Sequence, residues 1–101
     1  MAGALRVPLE AFGPDRRAQV AGIAVFLDGQ RAYALDAACP HEGNPLVHGD
    51  LAGGVLTCAY HLWRFDIETG ACLYGDRPVR RYETRVEPDA VVVLLDAGTA
   101  P

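Results

Sequence analysis

The chain has 101 residues, a length that suits one small domain with a single modest core, taken here as residues 1–101. Half of the residues are hydrophobic and the formal net charge is −4; the nine basic residues are all arginines and form no run, so the electrostatic footprint of a nucleic-acid-binding protein is absent. No apolar segment is long enough for a signal peptide or a membrane span, which predicts a cytoplasmic protein. Three cysteines are an odd number, so a disulfide scaffold is not expected in that compartment, and the protein is expected to be a monomer.

The N-terminal quarter is loosely patterned. Leu5 to Leu9 is predicted to form an edge strand, because an edge tolerates Pro8. Gly13-Pro14-Asp15 is typical of a turn. No further strand is predicted before residue 23.

A hairpin is the clearest local signal in the sequence. Ile23 to Leu27 is an apolar run, and Asp28-Gly29 follows as a dipeptide suited to a tight turn. The return strand runs from Arg31 to Leu35, with alanines on one face and Tyr33 and Leu35 on the other. This hairpin leads directly to Cys39.

The middle of the chain is predicted to be loop-like from residue 39 to residue 54, because Gly and Pro recur there. Val55 to Cys58 and Trp63 to Ile67 are predicted to be short strands, and Glu68-Thr69-Gly70 a turn.

The C-terminal part contains two further predicted strands. Polar and apolar residues alternate from Arg81 to Val86, and Ala90 to Leu95 reads as a buried strand. Because no segment shows a long 3.6-residue apolar period, the predicted fold is all-β and built from short antiparallel strands.

Two of the three cysteines and two of the three histidines lie in one short window, as Cys39-x-His41 and Cys58-x-x-His61. Each pair follows a predicted strand and supplies one sulfur and one nitrogen, so two adjacent loops would form a four-ligand site. Zinc accepts two Cys and two His, but its usual spacings keep like ligands together. A [2Fe–2S] cluster with two Cys on one iron and two His on the other fits the mixed pairs. Cys39 and Cys58 would then hold one iron, and His41 and His61 the other.

Charge explains why electron transfer would use this mixture of ligands. Two thiolates and two neutral imidazoles leave the oxidised cluster neutral, whereas four thiolates give it a charge of −2. Since an electron is added more easily to a neutral site, the midpoint potential rises from about −400 mV to roughly −150 to +300 mV.

These motifs carry a resemblance to the Rieske iron–sulfur proteins. Cys39-Pro40-His41-Glu42-Gly43 and Cys58-Ala59-Tyr60-His61 resemble the two boxes of that family, and the similarity covers roughly residues 5–95. The resemblance implies a Rieske-type fold with a small two-loop cluster-binding subdomain at about 38–66. It also implies that Cys39, His41, Cys58 and His61 bind the cluster.

Departures from the respiratory members of the family predict a low potential. Those proteins have one more Cys in each box, where this chain has Asn44 and Tyr60, so their disulfide cannot form. They also carry Ser and Tyr hydroxyls beside the sulfurs, where this chain has Trp63 and Phe65. Because fewer donors stabilise the reduced charge, we expect a midpoint of roughly −150 mV.

The resemblance implies a Rieske ferredoxin that carries single electrons and is not itself an enzyme. Its partners would be an NAD(P)H-dependent flavin reductase and the terminal oxygenase of an aromatic or hydrocarbon oxygenase system, both docking transiently near His41 and His61. The triplet His61-Leu62-Trp63 resembles ferredoxins of toluene-type diiron monooxygenases, with those of ring-hydroxylating dioxygenases close behind. Alternatives are a Rieske-like small subunit of an NADH-dependent nitrite reductase and a non-redox zinc module.

Five further residues in or near the boxes are expected to have structural or surface roles rather than to bind the cluster. His48 is expected to be a solvated loop residue and Cys72 a small residue packed in a strand. Trp63 is expected to pack against the cluster site as apolar cover. Leu62, together with Tyr60, is expected to line the surface near the histidines.

Overall fold

A computed structural model describes residues 3–40, 43, 45–59 and 62–95 of the chain. In this part of the chain the protein is almost entirely β-structure, as predicted, with two short 3₁₀ turns at Leu9–Ala11 and Leu46–His48. The strands are β1 (Ala4–Pro8), β2 (Arg17–Val20), β3 (Ile23–Asp28), β4 (Arg31–Asp36), β5 (Asp50–Ala52), β6 (Val55–Thr57), β7 (Arg64–Asp66), β8 (Cys72–Tyr74), β9 (Arg81–Glu87) and β10 (Ala90–Leu94). Among the described residues, no helix is long and apolar enough to cross a membrane.

The strands form two antiparallel sheets. Six of them pair in the order β1-β10-β9-β4-β3-β2, and the other four pair in the order β5-β6-β7-β8. The smaller sheet is inserted between β4 and β9, so the chain leaves the six-stranded sheet just before Cys39 and returns to it at Arg81. The predicted cluster-binding part at 38–66 stays a prediction; the four-stranded sheet overlaps it from Asp50 onwards and extends beyond it to Tyr74.

The six-stranded sheet curls around a core of its own. Val7 on one edge strand and Ala18 on the other belong to the same buried group as Val25, Ala34 and Val91. Residues from opposite edges can share a core only if the sheet bends over, which also shields its apolar inner face from water.

The hairpin of β3 and β4 separates two cores, because both of its faces are covered. One face contributes Ala32 and Ala34 to the core of the six-stranded sheet. The opposite face places Phe26 and Leu35 in a second core, called here the loop core, together with Cys39, Leu46, Leu56, Cys58, Phe65 and other buried residues. Strict alternation along a strand produces this division, and it confirms the two faces predicted for residues 31–35.

Several local predictions need correction. The hairpin loop consists of Gly29 and Gln30 rather than Asp28-Gly29, since Asp28 pairs with Arg31 in the ladder. Gly29 has a φ of 64°, so the residue with positive φ stands first in the loop, where a type II′ turn requires it.

Two strands were not predicted, and a third, β8, was indicated only by the expectation that Cys72 packs in a strand. β2 lies in the loosely patterned N-terminal region, and β5 lies inside the segment that was predicted to be a loop. β2 and β5 are both short, and β5 has no buried residue. Neither strand therefore shows the alternation of apolar and polar residues by which a strand can be predicted from sequence. The alternation in β9 also fails at its end, where Val86 is exposed although Tyr82 is buried.

A buried tyrosine anchors the strand that enters the first box. The hydroxyl of Tyr82 donates a hydrogen bond of 2.5 Å to Oδ1 of Asp36, the last residue of β4, and the Arg80 guanidinium lies 5.1 Å from its ring centroid. Burial, and then the hydrogen bond to the Asp36 carboxylate, raise the pKa of Tyr82 to about 12.

This shift predicts a loss of stability at alkaline pH. A tyrosine in the unfolded chain ionises near pH 10, whereas folded Tyr82 resists ionisation up to about pH 12. Its contribution to the free energy of unfolding is therefore complete below about pH 10 and is lost as the pH rises to about 12. Urea unfolding across this range should show a smaller alkaline loss in Tyr82→Phe, whereas the exposed Tyr74→Phe should behave like the wild type. An identical alkaline decline in Tyr82→Phe and the wild type would contradict the assignment.

Candidate iron–sulfur site

The first box begins directly after the central hairpin. Beyond β4 the backbone N–H of Leu46 donates to the carbonyl of Ala37 at 2.8 Å, and Ala38 forms an isolated antiparallel bridge with Pro45. These contacts close the loop at its base, with Cys39 just inside it. The Cys39 side chain is 1% exposed and lies in the loop core.

The second box has the same relation to the smaller sheet. Cys58 follows β6, is completely buried in the loop core and carries a free thiol. Its backbone N–H donates to the Trp63 carbonyl at 2.7 Å. The loop is thus closed at its base, as the first one is, and Cys58 lies at that closure.

One hydrogen bond recurs in both boxes. The N–H of Gly43 donates to the Cys39 carbonyl at 2.7 Å, and the N–H of Leu62 donates to the Cys58 carbonyl at 3.1 Å. In each case the donor stands four residues after the cysteine and has positive φ, 77° for Gly43 and 61° for Leu62. The same backbone hydrogen bond therefore links the described ends of both loops, although the first loop has glycine at the left-handed position and the second has leucine.

This correspondence gives Leu62 an unusual combination of properties. Glycine adopts positive φ without steric cost, whereas for an L residue with a side chain a left-handed conformation costs roughly 1–2 kcal/mol. Leu62 is nevertheless 62% exposed, so little burial offsets that cost. An apolar, strained and exposed side chain beside a site suggests a function outside the folded chain.

An arginine from the six-stranded sheet holds the segment between the boxes. The Arg17 guanidinium donates to the carbonyls of Val47 and Gly49, at 2.7 and 2.5 Å, and lies 5.1 Å from the ring centroid of Phe26. Gly49 is also packed tightly, because a Cβ there would lie 2.5 Å from the Thr57 carbonyl oxygen. These contacts link the inter-box segment to both sheets and limit the movement of one loop relative to the other.

The two cysteines predicted as ligands fit an iron–sulfur cluster. Two cysteine side chains lie in one apolar core, each at the base of a closed loop, and thiolates are the ligands that such clusters require. Gly43, Ala59 and Leu62, each within two residues of His41 or His61 in sequence, are exposed. The predicted ligands His41 and His61 lie outside the described residues, as do Asn44 and Tyr60. The described part of the chain accordingly contains no group of three or more His, Cys, Asp or Glu side chains suited to a metal.

The other residues singled out from the sequence lie where expected. His48 is exposed at the end of the second 3₁₀ turn, and Cys72 is half-buried in β8. Trp63 is half-buried against the loop core, with its ring centroid 6.4 Å from that of Phe65. The role of Arg17 was not predicted, because a single arginine in the sequence gives no sign of what it will contact. The equivalence of Gly43 and Leu62 was not predicted either, although both stand four residues after a box cysteine.

Comparisons with known proteins agree with the chemistry of this site. The model of the Rieske [2Fe-2S] domain family matches residues 8–91. The anthranilate 1,2-dioxygenase ferredoxin subunit of Burkholderia cepacia is 37% identical over 81 residues, 75% of either chain. The solved ferredoxin of carbazole 1,9a-dioxygenase from Nocardioides aromaticivorans is 30% identical, with a TM-score of 0.75 over 89% of this chain and 95% of that one.

Two other similarities say less about function, one because the sequence identity is low and the other because only a small part of the relative is matched. A putative NADH-dependent nitrite reductase small subunit from Mycobacterium tuberculosis shares the fold, with a TM-score of 0.74 and 21% identity over 96% of this chain and 98% of that one. The chain spans only about a tenth of some curated relatives: cholesterol 7-desaturase of Hemicentrotus pulcherrimus is 47% identical over 47 residues, 46% of this chain but 10% of the desaturase.

Proposed function

Since this chain belongs to the Rieske [2Fe-2S] family, we propose that it is a ferredoxin that carries single electrons from an NAD(P)H-dependent flavin reductase to the terminal oxygenase of a ring-hydroxylating dioxygenase. The ferredoxins that it resembles are electron-transfer components and not catalysts themselves. The similarity to the anthranilate dioxygenase ferredoxin, which covers three quarters of either chain, carries this proposal.

The cofactor is one Rieske-type [2Fe-2S] cluster. We assign Cys39 and Cys58 to one iron, and His41 and His61 to the other. The cluster supplies a site that gains and loses one electron, while the chain buries the two cysteine side chains and leaves Gly43, Ala59 and Leu62 exposed. Reconstituting the purified chain with a flavin reductase and a ring-hydroxylating oxygenase tests the function. Product formation that depends on this chain supports the proposal, and equal rates without it would overturn it.

Partner docking is proposed at the tips of the two loops. Five large apolar side chains are exposed in the described part of the chain, and three of them, Leu62, Leu73 and Tyr74, belong to the second box or to β8 of the smaller sheet. An apolar surface beside the electron exit would let either partner approach and leave in turn. Leu62 is the strongest candidate because it directly follows His61 in the second box, is 62% exposed and adopts a left-handed conformation that glycine adopts without steric cost.

Replacing Leu62 with asparagine separates docking from folding. Asparagine tolerates positive φ, so the free energy of unfolding should stay equal or rise, while loss of the apolar contact should weaken binding to the oxygenase about tenfold or more. Calorimetric titration of the oxygenase with each ferredoxin measures this change. Leu9→Asn is the matched control, because Leu9 is 39% exposed in the 3₁₀ turn that follows β1 of the six-stranded sheet. Equal weakening in both variants, or in neither, would contradict docking at Leu62.

The midpoint potential is expected near −150 mV, at the low end of the Rieske range. Neither Trp63 nor Phe65 offers a hydroxyl where the resemblance places donors to sulfur, so the reduced charge is less stabilised. A redox titration with a clearly positive midpoint would contradict this expectation. Phe65→Tyr should raise the midpoint by adding a donor, whereas Phe12→Tyr, which lies against the core of the six-stranded sheet, should leave it unchanged.

The second candidate is a small subunit of an NADH-dependent nitrite reductase, which the fold shared with such a protein supports. In that function the chain would be a permanent component of an enzyme rather than a mobile carrier. Stable co-purification with a large sirohaem protein at fixed stoichiometry would favour the subunit. Transient binding to an oxygenase would favour the carrier.

A further inference from the structure

Gly75, which directly follows β8, lies unusually close to Trp63. Its φ is 138°, and a Cβ added there would lie 2.5 Å from Cδ2 and 2.7 Å from Cε3 of the indole ring, and 3.0 Å from Sγ of Cys72. Carbon atoms that are not bonded to one another pack best at about 3.5–4.0 Å. Only glycine therefore allows the ring to lie where it does.

The Trp63 ring is coupled to the second box in two ways. Its backbone carbonyl accepts the N–H of Cys58 and so closes the loop. Its side chain packs half-buried against the loop core, which contains both Cys39 and Cys58. A displaced indole ring would thus uncover the apolar surroundings of Cys58 and strain the closure of its loop.

We propose that Gly75 is a positioning residue, which seats the Trp63 ring against the loop core and thereby keeps water away from the cluster on that side. Reduction adds one negative charge to the cluster. Water stabilises that added charge, and solvent exposure is one of the factors that set the potentials of iron–sulfur centres. Gly75 therefore helps to keep the potential low, although it contributes no ligand and no hydrogen bond to a sulfur.

Gly75→Ala tests this role, with two readouts. Trp63 is the only tryptophan of the chain, so its emission should shift to longer wavelength and become more accessible to iodide. The midpoint potential should rise relative to the wild type. Gly54→Ala is the matched control, because Gly54 also has positive φ, 80°, but nothing lies within 4 Å of an added Cβ. Unchanged emission and potential in Gly75→Ala, or equal changes in both variants, would overturn the proposal.

A rescue experiment keeps the test decisive if Gly75→Ala assembles poorly. Trp63→Leu removes the fused ring that the new methyl group would meet, so adding Gly75→Ala to Trp63→Leu should change neither cluster loading nor the midpoint further. If the double variant fails to load its cluster while Trp63→Leu loads normally, Gly75 acts through something other than the indole ring and the proposal is wrong. None of these readouts requires a partner protein, so failure here is distinguishable from failure of the proposed carrier function.

Discussion

Replacing His41 or His61 with alanine is expected to abolish the Rieske-type EPR signal and to stop electron delivery to the oxygenase. Each imidazole would hold the same iron, and the chain has only one other histidine that could replace it, His48. The proposed cysteine ligands are equally irreplaceable. In Cys58→Ala the loop core retains Cys39 as its other buried thiol, while Cys72, which packs against this core, lies in β8 and outside both boxes. No other thiol stands in the second box, so iron and acid-labile sulfide should be lost almost completely.

Matched controls exist for both residue types. His48 is exposed and Cys72 lies in β8 rather than in a box, so His48→Ala and Cys72→Ala should retain the iron, the sulfide and the EPR signal. Anaerobic purification, iron and sulfide analysis and EPR of the dithionite-reduced protein measure all of these variants alike. Survival of the signal in a box variant, or its loss in both controls, would overturn the ligand assignment.

Gly70→Ala is expected to be the most damaging of the glycine substitutions for stability. Gly70 is buried with a φ of 78°, and an added Cβ would overlap the carbonyl oxygen of Val79. The Gly70 carbonyl also accepts the Val79 N–H at 3.0 Å, and Val79 belongs to the loop core. Backbone strain of about 1–2 kcal/mol and overpacking of about 1–3 kcal/mol together predict a loss of roughly 2–5 kcal/mol.

Gly54→Ala is a control that separates the cost of backbone strain at positive φ from the cost of overlap between the added Cβ and a neighbouring atom. The φ of Gly54 is 80°, nearly that of Gly70, but its added Cβ meets nothing within 4 Å. We therefore expect this control to lose only the strain energy, about 1–2 kcal/mol. Urea unfolding of both variants gives the difference between them. If Gly70→Ala is no less stable than Gly54→Ala, then overlap with the Val79 carbonyl does not lower the free energy of unfolding, and the prediction is wrong.

Strong local patterns in the sequence were sufficient to predict the all-β fold class and the type of cofactor. The alternation in residues 31–35 predicted two faces, and both proved to be buried, in two different cores. The spacing of Cys39, His41, Cys58 and His61 pointed to a Rieske cluster because no common zinc spacing mixes its ligands in this way. The hairpin signal lies within five residues, and the ligand signal consists of two short motifs within one 23-residue window, so both can be recognised without knowing how the chain folds.

Contacts between segments that are far apart in the chain could not be predicted from local sequence patterns. The strands β2 and β5 exist because partners lie beside them, Ile23–Phe26 for β2 and Val55–Thr57 for β5, and not because of their own composition. The support of the inter-box segment by Arg17 joins residues 30 or more positions apart. The close contact between the Trp63 ring and Gly75 depends on the turn from β7 to β8, which brings the two residues together. Side-chain type and spacing specify which ligands are available, but the shape of the space around them arises only when separate strands pack together, since packing depends on every neighbouring atom at once.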